Sequence, residues 1–262
     1  MPITGRSDIL KMFKNLNVNA DNVEVIHKFG RIAASSTAFQ PISLGGIYRT
    51  PQVAGATKLR VKAGGNAADT AAGAGAREIT LSGIDETGAR VSEAVVTAGA
   101  SASANTVTDF IRLDRFWVSS SGAYATAAAG SHVGDIVIEN SAGSEDWGTI
   151  DATDFARSQS EIGATTIPLN RQGFLVDFSA FESTNKIVDS VFFWRTNILE
   201  TAAPYTPMRM LFGLSSETGY TNQEFEPFQG PFPELTDLVV MAKVNSGTPE
   251  IYCEFTLVLF DA

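Results

Sequence analysis

Short stretches in which apolar and polar residues alternate recur along the chain after residue 22, and turn residues stand between them. In TKLRVKAGG, Leu59 and Val61 fall on one face of an extended strand, and the basic residues around them fall on the other. No long helical pattern follows residue 16. The sequence therefore predicts an all-β protein, built as an antiparallel β-sandwich of the jelly-roll type or as two stacked β-sandwich lobes.

Two segments show how turn chemistry shapes this prediction. In AREITLSGIDETGARVSEAVVTA, Ile79 and Leu81 share a face, and Gly88 stands in the short link where a positive φ is needed, which predicts a β-hairpin. The segment NQEFEPFQGPFPEL contains three prolines and three phenylalanines. Because proline fixes φ and lacks an N–H donor, we expect an irregular loop there, anchored by its aromatic rings.

The chain is expected to divide into an N-terminal arm, residues 1–22, and a β-sandwich domain, residues 23–262. The arm contains SDILKMFKNL, whose apolar residues recur at helical spacing and predict a short helix. This helix either packs on its own domain or docks on a neighbouring subunit. Strand patterning lapses over residues 141–165, so a division of the domain into two lobes would fall near that segment.

Charge and composition exclude several classes of partner. The net charge of −10 argues against direct nucleic-acid binding, because phosphate neutralisation needs clustered Lys and Arg and the chain has no basic run. No apolar stretch reaches the roughly 20 residues that a membrane-spanning helix needs. The single cysteine, Cys253, excludes an intrachain disulfide and a cysteine zinc cluster, and its strand context predicts a buried thiol. We therefore expect neither nucleic acid nor a membrane as a partner.

Motifs that carry chemistry are weak in this sequence. The glycine-rich stretch GAGAR, residues 73–77, precedes a strand, whereas phosphate-binding loops open a helix. His27 and His132 have no nucleophile elbow or metal-ligand spacing around them. The acidic loop DWGTIDATD could supply oxygens to calcium but lacks the EF-hand pattern, so a solvated loop is preferred. The sequence thus predicts no catalytic, cofactor-binding or metal site, and a protein that is not an enzyme.

Large aromatic side chains and arginines are the candidates for contacts with other subunits, because both are favoured at the centres of protein interfaces. In DFIRLDRFWVSSSG, strict alternation places Arg112 and Asp114 on one face with the two phenylalanines, and Leu113 on the other face. An ion-pair ladder between strands is the alternative to an interface there. The interface hypothesis comprises Ile9, Phe13, Arg112, Arg115, Trp117, Trp194, Arg195, Tyr205, Phe228 and Phe232.

Five stretches carry a resemblance to a known family. They are HKFGR (27–31), DTAAGAGAREITLSGIDETG (69–88), TDFIRLDRFWVSSSG (108–122), GDIVIENSAG (134–143) and IPLNRQGFLVDF (167–178). Together they resemble the virion structural proteins of tailed bacteriophages, in particular those of marine podoviruses and siphoviruses. The resemblance brings no catalytic residues with it, because members of that family are described mostly as structural proteins.

The resemblance implies a virion location, with assembly in the host cytoplasm. We expect a head decoration, or cement, protein that binds the major capsid protein on the outer shell. It would associate with itself, as a trimer, and stabilise the shell by non-covalent contacts. A tail, collar or fibre-attachment component of the virion is one alternative. Another is a carbohydrate-binding β-sandwich module with an exposed Trp147 that stacks on sugars, and an enzyme is the last.

Overall fold

A computed structural model of the protein describes residues 22–32, 36–45, 55–122, 130–152, 157–184, 186–216 and 220–262. Within these residues the fold is all-β with antiparallel sheets and without an α-helix, as the sequence predicts. The described part therefore also has no helix that is long and apolar enough to cross a bilayer. The N-terminal helix that the sequence predicts lies outside the described residues.

Fifteen strands cover the described part of the chain. The four longest have eleven to thirteen residues each. The strands are β1 (Glu24–Ile32), β2 (Gln40–Pro41), β3 (Leu59–Val61), β4 (Ala76–Asp85), β5 (Arg90–Val96), β6 (Phe110–Ser121), β7 (Ile136–Asn140), β8 (Asp146–Ile150), β9 (Ala164–Thr166), β10 (Arg171–Glu182), β11 (Val188–Arg195), β12 (Arg209–Ser216), β13 (Tyr220–Phe232), β14 (Asp237–Val244) and β15 (Ile251–Asp261).

The first lobe consists of two sheets that face each other across one hydrophobic core. Sheet A has the strand order β1-β15-β10-β13, and sheet B has the order β12-β11-β14-β2, with β9 also paired to β14. Phe178 and Phe255 of sheet A contact Phe192 of sheet B, with ring centroids 5.5 and 5.1 Å apart. All three rings are fully buried, and burial of this kind of apolar surface is the main stabilising contribution where two sheets pack together.

The second lobe is inserted between β2 and β9 and also has two sheets around a core of its own. Sheet C has the order β5-β4-β6, and sheet D has the order β3-β7-β8. Phe116 of sheet C and Leu59 and Ile138 of sheet D are fully buried in this core. Ala164 of β9 and Val239 of β14 belong to the same cluster. The two lobes therefore share an apolar boundary, and the chain returns from the second lobe to the first between β8 and β9.

Two local predictions from the sequence are confirmed. Leu59 and Val61 are buried on one face of β3, and the residue between them is half-buried. The β4–β5 hairpin forms, and Gly88 in its turn has a φ of 89°, a backbone conformation that residues with a Cβ rarely adopt. Asp85 fixes the turn, because its Oδ1 accepts hydrogen bonds from the main-chain N–H groups of Thr87 and Ala89.

The proline-rich segment is a strand, so the prediction of an irregular loop there is wrong. It forms most of β13, which lies at the edge of sheet A and pairs only with β10. Leu175 pairs with Gln229 and Asp177 pairs with Glu224, so several residues of β13 stand opposite a single residue of β10. An edge strand with such a bulge accommodates proline, because the missing N–H donor is not needed for the ladder.

Strand β6 departs from strict alternation, and the predicted assignment of its faces is wrong. Ser82 of β4 pairs with Arg115 and the following Gly83 pairs with Leu113, so Asp114 is the extra residue of a β-bulge. A bulge turns the following side chains relative to the sheet. Leu113 consequently lies in the second core together with both phenylalanines of β6, although alternation would place it opposite them.

Gly30 allows the first strand to approach the neighbouring main chain closely. A Cβ at this position would lie 2.1 Å from the carbonyl oxygen of Ile42 and 2.4 Å from the main-chain nitrogen of Gly163. These two atoms are themselves hydrogen-bonded, since Gly163 N–H donates to Ile42 O at 2.8 Å. A glycine is therefore needed in the HKFGR stretch, because β1 packs directly against the main chain that follows β2 and the main chain that precedes β9.

We predict that Gly30→Ala lowers the free energy of unfolding by about 2 kcal/mol or more, because the backbone atoms that the methyl group meets cannot move aside cheaply. Urea unfolding followed by tryptophan fluorescence measures the change. Gly55→Ala is the matched control, since no heavy atom of the described residues lies within 4 Å of a Cβ built there. Equal stability of the two variants would contradict the close-approach explanation.

Candidate functional site

Three buried side chains bind one carboxylate where the lobes meet. Asp237 of β14 accepts a hydrogen bond at Oδ2 from Arg112 at 2.8 Å and another from Arg195 at 2.9 Å. Its Oδ1 accepts one from the hydroxyl group of Thr166 at 2.6 Å. Arg112 belongs to β6 of the second lobe, whereas the other partners belong to sheet B. All four residues are at least 97% buried, so this cluster fixes how β6 sits on sheet B.

A second charged cluster surrounds Arg31 at the end of β1. Its guanidinium donates to Asp151 and Glu161 at 2.8 Å each and to Glu250 at 3.0 Å. Burial disfavours the charged form, but the hydrogen bonds to Asp151 and Glu161 outweigh it and raise the pKa of Arg31. Asp151 directly follows β8 of the second lobe, so this cluster also joins the lobes.

Residues of both lobes also line a cleft of about 260 Å³, which we call the interlobe cleft. One wall is strand β1 of the first lobe, and the other is formed by β4, β5 and β6 of the second lobe. The cleft is lined by Glu24, Val25, Ile26, His27, Lys28, Ser82, Arg90, Asp114, Arg115, Trp117 and Thr165.

Two oppositely charged residues are buried in the lining of the interlobe cleft. Lys28 is 6% exposed and donates a hydrogen bond from Nζ to the main-chain carbonyl oxygen of Asp114. Burial lowers the pKa of Lys28 to about 8. Asp114, the bulge residue of β6, is 8% exposed, and burial raises the pKa of its carboxyl group. Its Oδ1 accepts from the N–H of Thr166 at 3.1 Å, and Oδ2 has no hydrogen-bond partner among the described residues.

The rim of the cleft carries two arginines and an aromatic ring. Arg90 donates to Glu24 across the cleft at 2.6 Å. Arg115 is exposed, donates to the side-chain oxygen of Gln159, and places its guanidinium carbon 5.8 Å from the centroid of the Trp117 ring. Trp117 is half-buried. The rim therefore offers N–H donors beside an aromatic ring, above a buried carboxyl group.

The structure places three of the residues in the interface hypothesis inside the chain. Arg112 and Arg195 are each 3% exposed and bind Asp237. Phe232 is 4% exposed and contacts the ring of Trp194, with centroids 5.8 Å apart. These side chains do not lie on the surface, so the ion-pair alternative holds for Arg112, although its partner lies on another sheet.

Four other residues of the interface hypothesis are accessible, and the side chains of the last three are not described by the structure. Arg115 and Trp117 come together in the interlobe cleft. Trp194 and Tyr205 are half-buried elsewhere, and the guanidinium of Arg209 lies 5.5 Å from the centroid of the Trp194 ring. The remaining three positions are Ile9 and Phe13, which fall outside the described residues, and Phe228, whose side chain is not among the described ones.

Trp147 does not fit the role of an exposed sugar-stacking residue. It is 5% exposed, lies in the core of the second lobe, and donates a hydrogen bond from Nε1 to Glu145 at 3.0 Å. A carbohydrate module that uses Trp147 is therefore not compatible with the structure.

The sequence analysis does not predict the burial of Lys28 and Asp237, because a charged residue in an alternating strand is normally assigned to the solvent face.

The glycine-rich stretch before β4 is a braced loop. Asp69 is buried, and its carboxylate accepts hydrogen bonds from the N–H groups of Ala76 at 2.8 Å, Val133 at 3.0 Å and Gly134 at 2.9 Å. The carboxylate therefore joins this loop to the segment before β7, and its acceptor capacity is used by the chain itself. No group of three or more His, Cys, Asp or Glu side chains that could hold a metal ion occurs in the described part.

The buried surroundings of the one cysteine make its thiol unreactive. Cys253 is fully buried in the first core, as predicted, and burial raises the pKa of its thiol to about 12. A thiol with such a pKa is almost entirely protonated near neutral pH, and the thiolate is the reactive form. Cys253 therefore has a packing role.

Comparisons with known proteins do not identify a family for this chain. Neither a family model nor a curated protein matches the chain. Among solved structures, a mutant VP2 protein of infectious bursal disease virus in T=1 particles aligns over 99% of this chain and 80% of that one. The identity is 10% and the TM-score is 0.18, and a score of that size carries no argument.

We predict that Asp237→Asn lowers the free energy of unfolding by about 3 kcal/mol or more, because two buried guanidinium groups lose their balancing charge. Asp189→Asn is the control: Asp189 is partly exposed and pairs with Lys243 at 3.5 Å, so its loss should cost less than about 1 kcal/mol. Urea unfolding of both variants measures the difference. Similar losses would show that the buried cluster does not hold the lobes.

The lowered pKa of Lys28 makes the free energy of unfolding depend on pH. Its pKa is about 8 in the folded chain and near 10.5 when unfolded, so between these values the unfolded state binds more protons. The free energy of unfolding therefore rises with pH in that window. We predict that the difference between wild type and Lys28→Met shifts in favour of wild type by about 2 kcal/mol from pH 7 to pH 10. A difference that does not vary with pH would contradict the lowered pKa.

Proposed function

We propose that the protein is a structural component of a tailed-bacteriophage virion, namely a head decoration protein that binds the outer surface of the capsid. The major capsid protein and further copies of this chain are its partners in this proposal. The observation that carries it is the strand order of the first lobe, taken together with the sequence resemblance described above.

The strand order of the first lobe supports a jelly roll. Numbered one to eight along the chain, β1, β2 and β10 to β15 lie in the orders 1-8-3-6 in sheet A and 5-4-7-2 in sheet B. Strand one pairs with eight, two with seven, three with six and four with five. This is the pattern of one long antiparallel hairpin rolled into two facing sheets, which is how a jelly roll arises.

Jelly rolls occur in viral capsid proteins, lectin domains and cupins, so the fold alone does not assign a function. The sequence resemblance favours the virion among these classes. The stretches that carry it include residues with structural roles: Gly30 and Arg31 of β1, Asp69 of the braced loop, and Arg112 and Asp114 of β6. A resemblance based on residues that stabilise the fold is what we expect of a structural protein without a catalytic site.

The net charge and the edge strands of both sheets suit an outer position in a symmetric shell. The net charge of −10 repels packed DNA, which favours the outer surface of the capsid over the inner one. Sheet A ends at β13 and sheet B ends at β12, and these edge strands expose Tyr220 by 63% and Met210 by 67%. Among the described residues no further strand pairs with these two edges, and we propose that they contact other copies in a trimer.

Copy number in purified virions tests this proposal. A decoration protein should be present at hundreds of copies, in a fixed ratio to the major capsid protein, because it repeats with the symmetry of the shell. Quantitative mass spectrometry of intact particles measures that ratio, and antibody labelling in electron micrographs locates the protein. A dozen copies or fewer, with label at the tail, would replace the head role by the tail, collar or fibre-attachment alternative.

A further inference from the structure

Three apolar side chains lie on the face of sheet A that is turned away from the first core. Phe174 of β10 pairs with Val258 of β15, so their side chains share a face, and Phe260 follows on that face two residues along β15. Leu257 and Leu259, which flank Val258, belong to the first core. Phe174, Val258 and Phe260 therefore lie on the opposite, outer face, and we call them the outer patch.

The outer patch is covered. Phe174 is 6% exposed, and Val258 and Phe260 are 2% exposed each. The rings of Phe174 and Phe260 stack with centroids 5.4 Å apart, but this contact covers only one face of each ring. The hydrophobic clusters of the described residues include none of the three. Because an open sheet face leaves its side chains accessible, a further segment of this same chain must cover the patch.

The cover is confined to one end of β10 and β15. Further along the outer face, Thr256 is half-buried and Glu254 is exposed, and His27 Nδ1 lies 3.1 Å from Thr256 Oγ1. Val25, which pairs with Val258 on the same face, is 65% exposed. The covering segment therefore lies over β10 and β15 and leaves β1 open.

The N-terminal segment, residues 1–21, joins the described chain at this same end of the sheet. The side chain of Asn22 donates to Asp261 Oδ2, and its carbonyl oxygen accepts from Arg171 at 3.0 Å. Asp261 directly follows Phe260, and Arg171 begins β10. The first described residue thus lies at the edge of the outer patch.

The other breaks in the described chain lie elsewhere. Three of them lie at the opposite end of sheet A, near the pairs Ile32 with Ile251 and Phe181 with Tyr220. The remaining three fall within the inserted lobe, between β2 and β9. The N-terminal segment is therefore the one that begins beside the outer patch.

The sequence of the N-terminal segment complements the outer patch in character and length. The apolar face of its predicted helix, at positions i, i+3, i+4 and i+7, consists of Ile9, Met12, Phe13 and Leu16. Ten helical residues span about 15 Å, and the strands of a four-stranded sheet, spaced by about 4.8 Å, span about 14 Å. The link of residues 17–21 reaches at most roughly 17 Å, which exceeds the distance of about 10 Å from β1 to β10.

We propose that residues 1–21 dock on the outer face of sheet A of the same chain, with the apolar face of the predicted helix against Phe174, Val258 and Phe260. The burial of the patch within one chain favours the chain's own segment over that of a neighbouring copy. Of the two alternatives that the sequence leaves open for this helix, packing on its own domain is thus the one we infer. The docking does not depend on the virion role.

Thiol labelling of Val258→Cys in the full chain tests the proposal. The native Cys253 is fully buried, so a maleimide reaches only the introduced thiol. We expect slow labelling in the otherwise unaltered chain. Addition of Phe13→Gln should speed it about tenfold or more, because one buried ring contributes more than a factor of ten to the docking equilibrium.

Two matched controls accompany this variant. Asn15→Gln introduces the same side chain outside the apolar face of the helix, and it should leave the labelling of Val258→Cys slow. Val25→Cys lies on the same sheet face but is accessible, so it should be labelled fast with and without Phe13→Gln.

Hydrogen exchange of the unaltered chain keeps the test valid if Val258→Cys does not fold, because a docked helix should protect the amides of residues 7–16. The proposal is overturned if these amides exchange as in an unfolded peptide, or if Phe13→Gln and Asn15→Gln give the same labelling rate. It is also overturned if Phe228→Ala exposes the thiol and Phe13→Gln does not, since β13 would then supply the cover. Protection that is lost on dilution would assign the cover to another copy and overturn it as well.

Discussion

The carboxylate of Asp237 is the interaction on which the arrangement of the two lobes depends. It lies on a central strand of sheet B, is fully buried, and binds Arg112 of the inserted lobe together with Arg195 of its own sheet. A buried charge is tolerated only when its partners are complete and well placed. The cluster therefore contributes more to the fixed position of strand β6 than to net stability. The Arg31 cluster adds a second set of ion pairs, which includes Asp151 directly after β8 of the second lobe.

That fixed position of β6 produces the interlobe cleft. Along this one strand, Arg112 is buried in the junction, Asp114 lies at the floor of the cleft, and Arg115 and Trp117 form part of its rim. The bulge at Asp114 makes this sequence of environments possible, because it turns the strand between its buried and its accessible halves. A structural junction and a cleft thus arise from the same few residues.

The predictions that failed did so where position in a sheet overrides local pattern. Proline argued against a strand at β13, yet β13 is an edge strand that has no second ladder to complete. The hypothesis of an exposed Trp147 ring is wrong, because this ring packs in the second core. Arginine favoured an interface at Arg112 and Arg195, but each meets a carboxylate from a strand distant in sequence. None of these outcomes is encoded within a few residues.

The amino-acid sequence alone predicts the all-β class, strand β3, the β4–β5 hairpin with its turn at Gly88 and the burial of Cys253. These features follow from alternation and turn chemistry over spans of ten residues or so. The strand orders of the sheets, the insertion of the second lobe and the hydrogen bond from Lys28 to the main chain of Asp114 become visible only in the folded chain. Pairings such as β1 with β15 join opposite ends of the chain. They are selected by the simultaneous burial of whole sheets, which no short stretch of sequence specifies.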